Sequence, residues 1–275
     1  MFVHGMWLHA SSWRDWIDVF AAHGFDASAP AWPGEHPTAQ ESRAHAADQA
    51  GVSMDRLVTH FAEVIRELPV PPILIGHSLG GTVVQKLLAA GYGVGGVVLD
   101  SARFDGELPG ALATLRVGLP ALADAGAIDD AIALTDYQFR FAFGRSLDKA
   151  ESDDLFAEFA MPAPARLLLE PETAGIDLPA APGRKAKAAS PLLVVESSAA
   201  GATAAPGGSL VGSRRSLHDG PHAAAQPARF PDRGTSFVFD SGWRDVAECV
   251  LDWVQDRFGS SHSSSRGVAL RGTAA

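Results

Sequence analysis

The segment Gly76-His77-Ser78-Leu79-Gly80 sets a serine between two glycines at G-x-S-x-G spacing, just after the apolar run Ile73-Leu74-Ile75 and just before the helical run Thr82 to Ala90. A strand that reverses into a helix within one residue leaves no room for side chains at either shoulder. Gly76 and Gly80 therefore have a mechanical reason, and Ser78 is lifted onto a sharp turn as a candidate nucleophile, the arrangement known as a nucleophile elbow. The pattern is short, but a buried strand before it and a helix after it are the context in which it carries chemistry. A serine hydroxyl is a poor nucleophile until a base takes its proton, and an imidazole base needs a carboxylate to orient it. The remainder of the chain must supply both.

The elements around the motif alternate. Met1-Phe2-Val3 reads as the stub of a strand, with any strand before it missing, and runs straight into His4-Gly5-Met6-Trp7. Trp13, Trp16, Ile17 and Phe20 recur at helical spacing behind Ser11 or Ser12 as a cap, and Gly24 stops that helix. Phe25 to Ala29 reads as a short strand, followed by the loop Pro30 to Pro37, whose prolines and glycine forbid regular structure. Ser53 caps a second helix with Leu57, Val58, Phe61, Val64, Ile65 and Leu68 on one face, and Val94 to Leu99 is a further buried strand. Helices alternating with apolar strands predict a mostly parallel sheet with helices on both faces, an α/β architecture. From Arg103 to about Ala165 the pattern is helical only and reads as an inserted lid, with Tyr137, Phe139, Phe141 and Phe143 as its core or, for one or two of them, as lining of an apolar pocket. Ala180 to Ser190 reads as a linker. The sheet restarts at Pro191 to Val195, Ser197 to Pro227 is poor in large apolar residues, and Trp243 to Phe258 closes the fold with Asp240 or Ser241 at its start. The expected division is residues 1–102 and 191–258 as two halves of one core, 103–190 as lid and linker, and 259–275 as a disordered tail.

Composition narrows the function classes. A chain of 275 residues that is 47% apolar and 20% charged can bury a large core. Its formal net charge of −10 opposes a phosphate backbone, so nucleic acid is not an expected partner. No stretch approaches the ~20 apolar residues of a membrane span, and no leader pattern opens the chain, which points to a cytoplasmic location. The single cysteine, Cys249, lies in an apolar helical run and reads as a small filler. No histidine or carboxylate pair shows metal-ligand spacing with a third partner, and no glycine loop is placed to cradle phosphate, so neither metal nor cofactor is expected.

His4-Gly5-Met6-Trp7, the serine turn and the sheet, lid, sheet order together resemble the α/β-hydrolase superfamily over residues 1 to 258. Thr135 to Phe143, with Met161-Pro162-Ala163-Pro164, is similar to the lid of small bacterial esterase-like members. The resemblance implies an α/β-hydrolase fold and an oxyanion hole made by the amides of Leu79 and Met6. It implies an acid after the strand Leu192 to Val195 and a histidine after the last strand. Aligned on Pro206, the first loop has alanine or glycine where the aspartate would stand, and in Pro231-Asp232-Arg233-Gly234-Thr235-Ser236-Phe237 it is Thr235 that stands where the histidine would be.

Other residues compete for these roles. His218 and His222 precede a last strand read as Ala223 to Phe230, which at ~3.3 Å per residue leaves them ~26 Å from its catalytic end. His9 and His36 lie in loops at that end, where either faces Ser78 as a surrogate base or serves only loop and lid contacts. His77, inside the turn, is directed away from the base position and reads as packing. Asp100, ending the strand Val94 to Leu99, is a surrogate acid, a helix cap or a loop anchor, with Asp105 and Glu196 as outsiders. The sequence thus points to a serine hydrolase of a small, largely apolar ester, lactone or similar acyl substrate with an atypical or incomplete triad. The alternatives are a non-hydrolytic enzyme on the same scaffold, catalysing elimination, cyclisation or carbon–carbon cleavage, and a catalytically dead small-molecule binder.

Overall fold

The computed structural model describes residues 1–101, 128–169, 181, 190–197, 225–231 and 233–259. Strands β1 (Phe2–Val3), β2 (Ile73–His77) and β3 (Gly95–Leu99), with β6 (Leu192–Ser197) and β7 (Ala225–Phe230), form one sheet in the order β1-β2-β3-β6-β7, and every neighbouring pair is parallel. Helices α1 (Arg14–Ala22), α2 (Ala39–Ala44), α3 (Met54–Arg66) and α4 (Leu79–Ala89) belong to the first half of the chain. Next come β4 (Ala131–Ile132), α5 (Asp136–Ala142), α6 (Lys149–Phe159), β5 (Ala163–Pro164) and α7 (Arg166–Leu169), and α8 (Trp243–Phe258) closes the fold.

Binary pattern and capping explain most of these elements. Ser53 accepts a hydrogen bond from the Arg56 amide and starts α3, whose Met54, Leu57, Val58, Phe61, Ala62 and Ile65 are buried. Thr135 and Gln138 form a reciprocal capping box at the start of α5. α4 is buried on nearly its whole circumference, as a helix pressed between sheet and neighbours must be.

Four local expectations change. Ala10–Trp13 is a 3-10 helix capped by the His9 side chain, which accepts from the Ser11 amide, so neither Ser11 nor Ser12 is the cap. Phe25 to Ala29 is not a strand: β1 has only two residues, and the segment is joined to it by the bond from the Phe2 amide to the Ser28 carbonyl (2.8 Å). The stretch expected to be helical only contains the antiparallel pair β4 and β5. At α8 the cap residue is Gly242, whose amide donates to Asp240 (3.0 Å). Asp105, His218, His222, residues 103–127, the loop 198–224, all of the 180–190 linker but Ala181 and Ser190, and the tail from 260 lie outside the described residues.

An aromatic cluster ties the two halves of the core together. Phe2 stacks on Trp13 at 4.9 Å and meets Phe20 edge-on at 5.3 Å, and Trp13 meets Trp16 edge-on at 5.1 Å. Trp16 then donates its indole N–H to the Val238 carbonyl (2.7 Å), across more than two hundred residues of sequence. Truncating Trp16 to alanine removes both packing and this bond; we expect a loss of about 3–5 kcal/mol in urea unfolding, with Trp16→Phe recovering most of it.

Candidate active site

The turn at Ser78 is built as its glycines require. A methyl group on Gly76 would overlap the Gly80 carbonyl, and one on Gly80 would overlap the carbonyls of Val3 and His4. The closeness of the chain at these two positions allows β2 to fold back into α4 beside β1. Ser78 takes φ 52°, ψ −121°, and its amide donates to the Leu99 carbonyl (2.8 Å), extending the β2–β3 ladder one residue into the turn. Such backbone costs of order 1–3 kcal/mol in a residue with a side chain. Asp100, the residue after β3, repeats the arrangement with φ 44° and an amide bond to the Val195 carbonyl (2.9 Å) on β6.

The loop after β1 lies against this turn. A side chain on Gly5 would come 3.1 Å from Ser78 Cβ and 3.2 Å from His77 Nδ1, so glycine at residue 5 lets the backbone of His4-Gly5-Met6-Trp7 approach residue 78 without crowding. Met6 and Leu79 are fully buried, Leu79 as the first residue of α4. The loop is clamped from several sides. Trp7 donates its indole N–H to the Ile132 carbonyl (2.8 Å), the Met161 amide donates to the Trp7 carbonyl (3.1 Å), and the His9 amide donates to Phe159 (2.9 Å).

Glu35, in the proline and glycine loop, is the buried anchor beneath it. Its Oε2 meets His4 Nε2 (2.8 Å) and the Trp32 amide (2.9 Å), and its Oε1 accepts from the Ala10 amide (2.8 Å) and lies 3.2 Å from His9 Nε2. Burial alone would raise this carboxyl; the charge and hydrogen bond of His4, with the Ala10 and Trp32 amides, outweigh it and hold Glu35 below the ordinary range. Sequence reasoning missed Glu35 because nothing in its spacing connects it to His4.

The histidines are placed as follows. His9 uses Nδ1 on Ser11, and its Nε2 faces the His36 carbonyl (3.0 Å). His36 pairs through Nε2 with Asp48 (2.8 Å) and stacks on His45 with ring centres 4.5 Å apart. His77 is buried, donates from Nε2 to the Thr235 carbonyl (3.0 Å), and presents its edge to Phe239. A carbonyl can only accept, so Nε2 carries the hydrogen and Nδ1 is the bare nitrogen, buried without a hydrogen-bond partner. Burial lowers this imidazole to about 4.

Asp100 is 4% exposed, and its carboxylate accepts from the Ser197 amide (2.6 Å) and the Ser197 hydroxyl (2.5 Å). The nearby Thr235 side chain also helps to hold the carboxyl down. Burial raises its carboxyl to about 6 against these hydrogen bonds. Thr235 thus accepts from His77 through its carbonyl, with its side chain near Asp100. Ser197 was another residue missed, since it reads in sequence as the start of a loop. Phe239 continues the same turn into the aromatic group of Phe139, Phe143 and Phe159, at 6.0–6.4 Å, while Tyr137 is 77% exposed.

The chain matches the family model described as the alpha/beta hydrolase family over residues 1–249. It belongs to that family. No curated protein matches the chain. Solved structures show the same fold: an extracellular α/β-hydrolase from a Paenibacillus species (19% identity, 91% of this chain and 97% of that one, TM-score 0.64); a putative non-heme bromoperoxidase from Mycobacterium tuberculosis H37Rv (20% identity, 93% and 91%, TM-score 0.63); and a methylesterase from Arabidopsis (16% identity, 93% and 98%, TM-score 0.61). A groove of about 700 Å³ between α1 and α8 is lined by Asp15, Asp18, Trp243, Glu248 and Asp252, and none of its lining residues belongs to the serine site. Among the described residues, no helix is long and apolar enough to cross a membrane.

Two outcomes follow from the backbone and the buried charges. Both Ser78→Gly and Ser78→Ala remove the hydroxyl, but only glycine relieves the left-handed backbone, so the glycine variant should be about 1 kcal/mol the more stable in chemical denaturation. Folded Asp100 holds its proton more tightly than an ordinary aspartate, so it withdraws about 3 kcal/mol of stability as pH rises from about 4 to about 6. Folded His77 resists protonation, so it adds about 3 kcal/mol as pH rises from about 4 towards 6.5. The two slopes oppose each other. Relative to the parent protein, Asp100→Asn should gain stability with rising pH across this window and His77→Gln should lose it, read from denaturation midpoints at successive pH values.

Proposed function

We propose that this protein is a serine-type acyl hydrolase for small, largely apolar esters, lactones or related acyl compounds, working without the usual imidazole base. The observation that carries this reading is the left-handed backbone of Ser78 at the strand-to-helix turn, a costly conformation that lifts its side chain at the end of β2. In this reading Ser78 Oγ attacks the acyl carbonyl and the amides of Leu79 and Met6 hold the oxygen that becomes negative. The closeness of Gly5 to Ser78 supports the placement of the Met6 amide. Hydrolases and esterases with this fold, the methylesterase among them, support the acyl class of substrate.

The magnitudes define how much activity to expect. An oxyanion hole and binding alone supply ~10³–10⁴ over water, while loss of the base forgoes several further powers of ten. Such a site favours activated acyl groups, whose leaving oxygen departs as a weakly basic anion without a general acid while the serine proton passes to water. Thr235 near Asp100 also favours a second reading, in which the site captures an acyl-like ligand without turning it over.

One experiment separates the two. With p-nitrophenyl acetate, peptide mass spectrometry should find an acetyl group on Ser78, absent in Ser78→Ala. Gly5→Ala should slow formation of that adduct by ~10²–10³ while the protein stays folded. Saturable binding with residue 78 unmodified would establish the binder instead.

A further inference from the structure

Met6 carries a backbone amide that the fold buries without using: the residue is fully buried, and its N–H donates to no acceptor among the described residues. A buried amide left open costs free energy comparable to a lost hydrogen bond. The other end of the same peptide unit is firmly held. The Gly5 carbonyl faces His4 Nδ1 (2.9 Å) and receives the Leu8 amide (3.4 Å). The Gly5–Met6 peptide is planar and trans, so holding its oxygen fixes where the Met6 N–H points.

The two histidines at Glu35 differ in what their rings can carry. His9 accepts the Ser11 amide at Nδ1 (3.1 Å) and turns Nε2 to the His36 carbonyl (3.0 Å), so one ring hydrogen satisfies it. His4 meets acceptors on both sides: the Gly5 carbonyl at Nδ1, and at Nε2 the Glu35 carboxylate (2.8 Å), which already accepts from the Trp32 and Ala10 amides. Neither a carbonyl nor an ionised carboxylate can donate, so both bonds are made only when both ring nitrogens carry hydrogen. The side chains of His4 and Glu35 are at most 1% exposed, and Trp32 stacks on the His4 ring at 4.6 Å, a face that suits a cation. A simple brace for the loop needs no charge there, because a neutral pair of the same shape avoids the cost of burying two ions. The charge also reaches the serine turn. After burial, it is one of the causes that hold the imidazole of His77, next to Ser78, low.

We infer that His4 and Glu35 form a buried imidazolium–carboxylate pair that polarises the Gly5–Met6 peptide and aims its amide at the acyl oxygen, so that both are positioning residues of the oxyanion site. This rests on the reading of Ser78 as the nucleophile and of the Met6 amide as a donor to the oxyanion. A hydrogen bond from a cation draws electron density towards the Gly5 oxygen, which makes the N–H at the other end of the peptide a stronger donor. No proton moves in this arrangement. Both ring hydrogens stay on His4 while negative charge grows on the acyl oxygen and falls again as the leaving group departs. Glu35 keeps the ring charged, and His4 carries the effect to the peptide.

Two readouts test the pair. In protein carrying 15N-labelled histidine, the His4 ring, identified by its loss in His4→Asn, should show hydrogen on both nitrogens at about pH 8, where a free imidazole is neutral. In Glu35→Gln it should show hydrogen on one only. Acetylation of Ser78 by p-nitrophenyl acetate should slow ~10-fold in Glu35→Gln and in His4→Asn, short of the ~10²–10³ expected when a donor is lost outright. The change should lie in the rate constant and leave the half-saturating concentration where it is, and the double variant should be no slower than either single one. If Glu35→Gln does not fold, His4→Asn carries the rate comparison and the parent's spectrum carries the charge. A singly protonated His4 ring in the parent overturns the inference, as does acetylation at the parent's rate in a folded variant. A doubly protonated ring with no acetyl group on Ser78 of the parent keeps the ion pair and overturns the serine reading instead.

Discussion

The structure turns on a steric constraint at the end of β2. To pass from strand to helix at a single residue, the chain must bring Gly80 under the carbonyls of Val3 and His4 and Gly76 under the carbonyl of Gly80. That closeness locks β1, β2 and α4 into one unit and leaves Ser78 no ordinary backbone conformation. The ladder bond from the Ser78 amide to Leu99 holds it there. Much of the first half of the protein acts as support: α4 is buried along nearly its full length, and the aromatic cluster of Phe2, Trp13, Trp16 and Phe20 fixes the short β1 from the far side.

Around this turn the protein handles its buried ionisable groups in two ways. Glu35 is given a histidine and two backbone amides, and remains ionised while pinning both ends of the loop that approaches Ser78. Asp100 is given the amide and hydroxyl of Ser197 but no cation, and burial wins, raising its carboxyl to about 6. The difference is one of partners, since both side chains are nearly inaccessible to water. Glu35 serves as a brace.

Local signals in the sequence were reliable where the physics is local. Ser53 starts α3 because a hydroxyl can reach an amide three residues on, and the apolar face of that helix follows from its period. The signals failed where a neighbour decides. Ser11 is a good cap residue, yet His9 caps that turn because the loop bonds around Glu35 and His36 orient its ring. Phe25 to Ala29 has strand composition, but a partner strand of two residues offers it a single amide bond. The pairing of Ala131–Ile132 with Ala163–Pro164 joins segments some thirty residues apart and has no signature at either end.

By itself the sequence determined the α/β alternation and the glycine-flanked turn at Ser78, because periodicity and glycine spacing are properties of neighbouring residues. Only the tertiary structure decided which carboxylates matter. Glu35 gains its role from His4, and Asp100 from Ser197, in contacts that span 31 and 97 positions. Such contacts arise from the order of strands in the sheet, which brings the ends of β3 and β6 side by side; no local rule encodes that order.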